Sequence, residues 1–235
     1  MIDSLFSLPE VPNLSKDLWI VANFKSNKNI QQALEWLGYV GPELRKSLVK
    51  VVVCPTFVCL PEIKKAVLVA GFPILVGAQD ISRFDVGAYT GEVAGKLISE
   101  FVDFVLVGHS ERRQNFQETD QVIAEKITQA KNSQIKPLLC VQNENTAVPD
   151  SVEIVAYEPI FAIGTGHPDT AGNANKVAGL LKKDRPVQVL YGGSVHSKNV
   201  EEFLVQDNID GILLGRASLD PEEFLKIVKI ANSLK

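Results

Sequence analysis

Eight short apolar runs recur along the chain. They are Leu18–Lys25 (LWIVANFK), Val49–Phe57, Pro73–Asp80, Phe104–Ser110, Lys136–Gln142, Glu153–Pro159, Val187–Gly193 and Gly211–Ala217. Each is nearly continuous rather than alternating, the pattern of strands buried on both faces. Helical spacing separates most of them, over Gln31–Leu48, Pro61–Ala70, Gly91–Val102, Thr119–Lys131, Ala174–Lys183 and Ser197–Val205. A last helix opens at Asp220-Pro221-Glu222-Glu223, with a capping acid, proline at the first helical position and acid in the first turn. Strands alternating with helices make parallel βα units. Eight units imply an α/β fold, a closed (β/α)8 barrel in one domain over residues 18–235, preceded by an extension over residues 1–17.

One unit is irregular. The fifth and sixth runs are joined only by Asn143–Val152 (NENTAVPDSV), which contains Pro149 and no apolar periodicity. A parallel crossover ordinarily needs a dozen or more residues, so the fifth helix is expected to be absent or reduced to a turn. Strands 5 and 6 carry apolar side chains such as Leu138, Ile154 and Val155, some of which must point outward because successive side chains alternate, and that outer wall would then lack its usual cover. A second copy of the chain is the expected cover, giving an assembly larger than a dimer. The alternatives are the N-terminal extension, with Leu5, Phe6, Leu8 and Val11, or local repacking of a shortened helix.

The net charge of −4 argues against nonspecific nucleic-acid binding. No 18-residue apolar run exists to cross a membrane, and the first 17 residues lack the basic start and apolar core of a signal peptide. Cys54, Cys59 and Cys140 sit in or beside apolar runs with no metal-ligand spacing, so they read as buried free thiols of a reducing, cytoplasmic setting.

Polar residues gather where the apolar runs end, the face on which such barrels carry their sites. Asn23 and Lys25 end the first run, and His109, Ser110 and Glu111 the fourth. Glu158 ends the sixth, Gly192-Gly193-Ser194 the seventh, and Gly215-Arg216 the eighth. Glu158 is the odd member: a lone carboxylate inside VAYEPIFAIGTG, followed at once by Pro159, where burial of an unpaired charge needs a reason.

With NFK, GAYTGE, GHSERR, AYEPIFAIGTG, YGGSV and DGILLGRASL in this order, the chain resembles the triosephosphate isomerases from about Trp19 onward. The resemblance implies interconversion of two triose phosphates through an enediolate, an aldose–ketose isomerisation with neither metal nor organic cofactor. It makes Glu158 the base, and a carboxylate covered by an apolar lid becomes more basic by desolvation. The lid would be Pro159, Ile160, Phe161, Ala162, Ile163, Gly164, Thr165 and Gly166, with Ile163 and Leu213 clamping over the base. His109 would polarise the carbonyl as a neutral imidazole at a helix N-terminus. Lys25 would supply fixed positive charge and Asn23 a hydrogen bond. Backbone N–H groups of Gly164, Ser194, Gly215 and Arg216 would hold the phosphate, with Ser110, Glu111 and Tyr191 in support. The stretch Asp85–Glu92 resembles the loop that inserts into a twofold partner, bringing Thr90 toward Asn23 and Lys25 of the other subunit.

Three departures stand out. Phe161 replaces the family's usual Trp, Gln142-Asn143 replace a Gly-Glu pair, and Arg216 replaces a glycine. The Trp and the Glu are partners with the lid open; losing both can be nearly neutral where losing one leaves an orphan. Two rival readings remain. Another phosphate-binding barrel, an epimerase or a lyase, would explain the YGGS and GRAS turns, but not Glu158 and His109 with Asn23 and Lys25. A non-catalytic descendant would have lost Lys25, His109 or Glu158.

Overall fold

The computed structural model describes residues 16–162 and 168–235. Eight parallel strands, β1 (Trp19–Asn23), β2 (Lys50–Cys54), β3 (Ile74–Ala78), β4 (Phe104–Val107), β5 (Lys136–Val141), β6 (Ile154–Tyr157), β7 (Gln188–Tyr191) and β8 (Gly211–Leu214), form one closed barrel in chain order. The ring closes between β1 and β8, with Trp19 opposite Gly211. Gly211 is required there: a Cβ would lie 2.1 Å from the Trp19 carbonyl oxygen.

Eight helices are described: α1 (Ile30–Glu43), α2 (Leu60–Ala70), α3 (Gly95–Ile98), α4 (Ser110–Phe116), α5 (Asp120–Asn132), α6 (Ala171–Lys182), α7 (Val200–Leu204) and α8 (Pro221–Ser233). They are unevenly shared. Two follow β4, and none lies between β5 and β6, so the expected gap in the helical ring is real. The helix read over Gly91–Val102 shrinks to the single turn of α3. The sequence marked the start of α4 but not its end, which comes where Gln117 turns left-handed at φ 56°. Thr119 then caps α5, accepting from the Val122 N–H. Asp220 caps α8 with Pro221 in its first turn, as the sequence indicated.

The core has two shells. Inside the barrel, Trp19, Val21, Val52, Leu106, Leu138, Ile154 and Leu213 pack together. Outside it, Leu139, Val141, Val155 and Tyr157 belong to a larger layer shared with the helices.

The wall of β5 and β6 is not exposed. Leu138 and Ile154 point inward, and Val155 is fully buried on the outside. The linker itself covers the strands: Val148 and Val152 are buried in the outer layer, and the Arg185 guanidinium donates to the Val148 carbonyl. The expectation that a second copy covers this wall is therefore corrected in favour of local repacking. Side chains near the barrel axis need no helix, and two valines suffice for the rest. The opening that remains is a cavity of about 240 Å³ lined by Phe104, Ile135, Pro137 and Ile154. The N-terminal extension lies outside the described residues, except for Lys16 and Asp17.

Candidate active site

A cavity of about 810 Å³ opens at the C-terminal ends of the strands, lined by Asn23, Lys25, His109, Glu111, Glu158, Gly192, Gly193, Ser194, Leu213, Gly215 and Arg216. The rim inferred from sequence thus converges on one site. Ser110 and Tyr191 are buried and do not line the cavity.

Glu158 follows directly on β6 and is 2% exposed. Its Oε2 accepts the Ser110 N–H at 2.9 Å, a backbone donor at the start of α4. Its Oε1 stands 3.1 Å from His109 Nε2. Gly192 makes room for this placement, because a Cβ there would lie 2.9 Å from Glu158 Cγ. The Cys140 thiol lies against Glu158, and burial holds it protonated well above the usual thiol range, with the Glu158 charge adding to the effect. Burial alone pushes Cys54 up to about 12. All three cysteines are buried and unbridged.

His109 is the N-cap of α4, and its Nδ1 accepts the Glu111 N–H at 3.2 Å. With Nδ1 used as acceptor, the proton of the neutral ring sits on Nε2. The ring therefore offers an N–H to the cavity.

Lys25 takes φ 51°. Its N–H bonds Asn23 Oδ1 at 2.9 Å, and its carbonyl accepts from Gln79 Nε2 at 2.9 Å. Asn23 has thus committed its oxygen and presents its NH2 as donor. The Lys25 ammonium pairs with Glu111. Gly215 gives it passage, since a Cβ there would meet Lys25 Cε at 3.1 Å.

The turns after β7 and β8 form the far end of the cavity. The Ser194 hydroxyl donates to the Ala162 carbonyl at 2.8 Å, joining the turn after β7 to the segment after Glu158. Arg216 is exposed and begins a 3₁₀ turn, Arg216–Ser218. Its φ is not positive, so the change from glycine imposes no strain. Pro159 and Ala162 are buried, whereas Ile160 and Phe161 are 61% and 62% exposed. Ile163, Gly164, Thr165 and Gly166 lie outside the described residues. Asn143, in place of a glutamate, closes its own turn by accepting the Asn145 N–H at 2.9 Å. Among the described residues no three His, Cys, Asp or Glu side chains gather as a metal site.

Sequence reasoning passed over Gln79, and it read Cys140 only as a buried thiol and Gly192 only as part of a strand-end turn. Gln79 sits just beyond β3 and could have been found by the rule that found the others, polar residues at strand ends. Its amide bonds both the Lys25 and the Cys54 carbonyls at 2.9 Å.

The family model for triosephosphate isomerase matches residues 18–231. A triosephosphate isomerase of Mesomycoplasma hyopneumoniae is 36% identical over 238 aligned residues, covering 89% of this chain and 97% of the relative. One from a Synechococcus strain is 37% identical, covering 91% and 96%. One from Alkaliphilus metalliredigens is 35% identical, covering 89% and 97%.

Proposed function

The chain belongs to the triosephosphate isomerase family, and from that premise we propose how its residues divide the interconversion of dihydroxyacetone phosphate and glyceraldehyde 3-phosphate, a glycolytic step. Glu158 is the base. It moves a proton between adjacent carbons, because both directions need one group that takes and returns a carbon-bound proton. His109 polarises the substrate oxygen through its Nε2–H. That N–H is engaged by Glu158; a substrate carbonyl takes the carboxylate's place and frees it toward carbon. Lys25 and the Asn23 NH2 stabilise the enediolate charge from fixed positions.

The phosphate dianion is held at the far end by backbone N–H groups of Ser194, Gly215 and Arg216, with Gly164 from the lid. Ser110 orients Glu158, and Glu111 holds Lys25. The lid of residues 159–166 excludes water, and Leu213 contributes the cavity side of the clamp. The loop of residues 85–92 makes the twofold contact of a homodimer, and the cytoplasm is the site of action, consistent with buried, unbridged thiols.

The observation that carries this reading is the contact of Glu158 with His109 and Ser110 inside a cavity that also holds Lys25. Its test is Glu158→Asp, which draws the carboxylate back by one methylene. A displacement near 1 Å can lower rate by about 10²-fold, so kcat should fall by that order with KM little changed. A kcat within a few-fold of the parent would remove Glu158 from the role.

A further inference from the structure

Asp169 is a buried carboxylate with an unusual setting. It is 8% exposed between two exposed neighbours, Pro168 and Thr170. Among the described residues no cation pairs with it. Neutral donors hold it instead. Its Oδ1 accepts the Thr170 N–H at 2.7 Å, and its Oδ2 accepts Asn173 Nδ2 at 2.7 Å and the Tyr157 hydroxyl at 3.3 Å. Its own N–H donates to the Tyr191 hydroxyl at 2.7 Å. A buried carboxylate without a cation is destabilising unless fully hydrogen-bonded. The cap of α6 does not need it, since the Thr170 side chain accepts the Asn173 N–H.

What Asp169 reaches is the strand end that carries the base. Tyr157 immediately precedes Glu158 and pairs with Tyr191 across β6 and β7. The Tyr157 carbonyl accepts the Gly192 N–H at 2.8 Å, beside the point where Gly192 leaves room for Glu158 Cγ. The Tyr157 ring is buried in the outer shell, and among the described residues its hydroxyl donates to Asp169 there. The ring points away from the cavity while Glu158 points into it, so the carboxylate acts on the base only through the backbone they share.

We propose that the Asp169 carboxylate is a positioning group for the isomerisation: by holding the Tyr157 hydroxyl from outside the barrel it fixes the main chain from which Glu158 projects inward. The proposal rests on Glu158 as the base and deepens that reading.

The test is Asp169→Asn in the full chain. Asparagine keeps the size, the backbone N–H to Tyr191 and an oxygen for the Thr170 N–H. It turns an NH2 toward the Asn173 amide and the Tyr157 hydroxyl. The expected result is a kcat lowered roughly tenfold, the scale of a sub-ångström displacement where 1 Å can bring about 10²-fold. Competitive inhibition by inorganic phosphate, which reads the far end of the cavity, should be unchanged. Tyr157→Phe should lower kcat in the same way, and the double variant should be no slower than Asp169→Asn alone, because both remove one link. Parental kcat in Asp169→Asn, or losses that multiply in the double variant, would overturn the proposal. Should Asp169→Asn fail to fold, Tyr157→Phe, which removes a single oxygen, decides alone: parental kcat overturns the proposal. Glu158→Asp reports separately on the base, so the two ideas can fail independently.

Discussion

Lys25 stands in the left-handed region, which a non-glycine residue keeps only when its surroundings over-determine it. Asn23 from β1 and Gln79 from beyond β3 do so, one on its N–H and one on its carbonyl. Lys25, His109 and Glu158 were readable in the sequence because charged groups among apolar strand ends need a reason. Gln79 and Asp169 were passed over, and Cys140 was read only as a buried thiol: an amide, a thiol and a loop acid look ordinary until the fold shows what they touch. The two buried phenols carry a pH signature. Burial, and secondly Asp169, push Tyr157 up from 10.0 to about 12, and burial pushes Tyr191 further up. Between about pH 10 and 12 the unfolded chain has released the Tyr157 proton and the folded chain has not. The folded state then binds more protons, so stability falls as pH rises across that window. Urea midpoints at pH 9 and 11.5 should show this fall, and Tyr157→Phe should make it shallower. An equal fall in both proteins would assign it to other groups.

The element that departs most from the regular βα pattern is the linker of residues 142–153. Its composition, polar with a proline and no periodicity, was enough to predict that no helix forms. It was not enough to predict that Val148 and Val152 fold back as the cover, because two isolated valines in a polar linker carry no period. Val152 is 2% exposed. Val152→Asp would bury an unpaired carboxylate over the β5–β6 wall and lower stability by about 3–5 kcal/mol. Denaturant unfolding measures the loss. Activity per folded molecule should be unchanged, because the linker covers the outer wall and contributes no side chain to the cavity. A variant as stable as the parent would show that the linker is not the cover.

At the scale of the molecule, barrel closure was legible from the count and spacing of apolar runs. The proposed twofold contact rests on resemblance alone. The loop of residues 85–92 projects Val86 and Tyr89, 58% and 45% exposed, and is braced by Phe84 stacked on Tyr89 and by the Lys96–Asp85 pair at 2.6 Å. Replacing Val86 and Tyr89 with serine should give a monomer by light scattering and lower kcat about tenfold, as Thr90 would no longer steady Asn23 and Lys25 across the contact. A parent protein that is monomeric and fully active would end the dimer proposal. The gap in the helical ring has a separate consequence. Glu144 stands exposed on a turn in that gap, where backbone hydrogen bonds are few and a protease can bind. A single cut there leaves two fragments that still share two seams, β5 with β6 and β1 with β8. Asn23, Lys25 and His109 fall on one fragment and Glu158 and Ser194 on the other. The nicked barrel should therefore stay whole and active on a gel-filtration column, and fragments expressed apart should be inert until mixed, which makes the missing helix a natural place to split the enzyme into complementing halves.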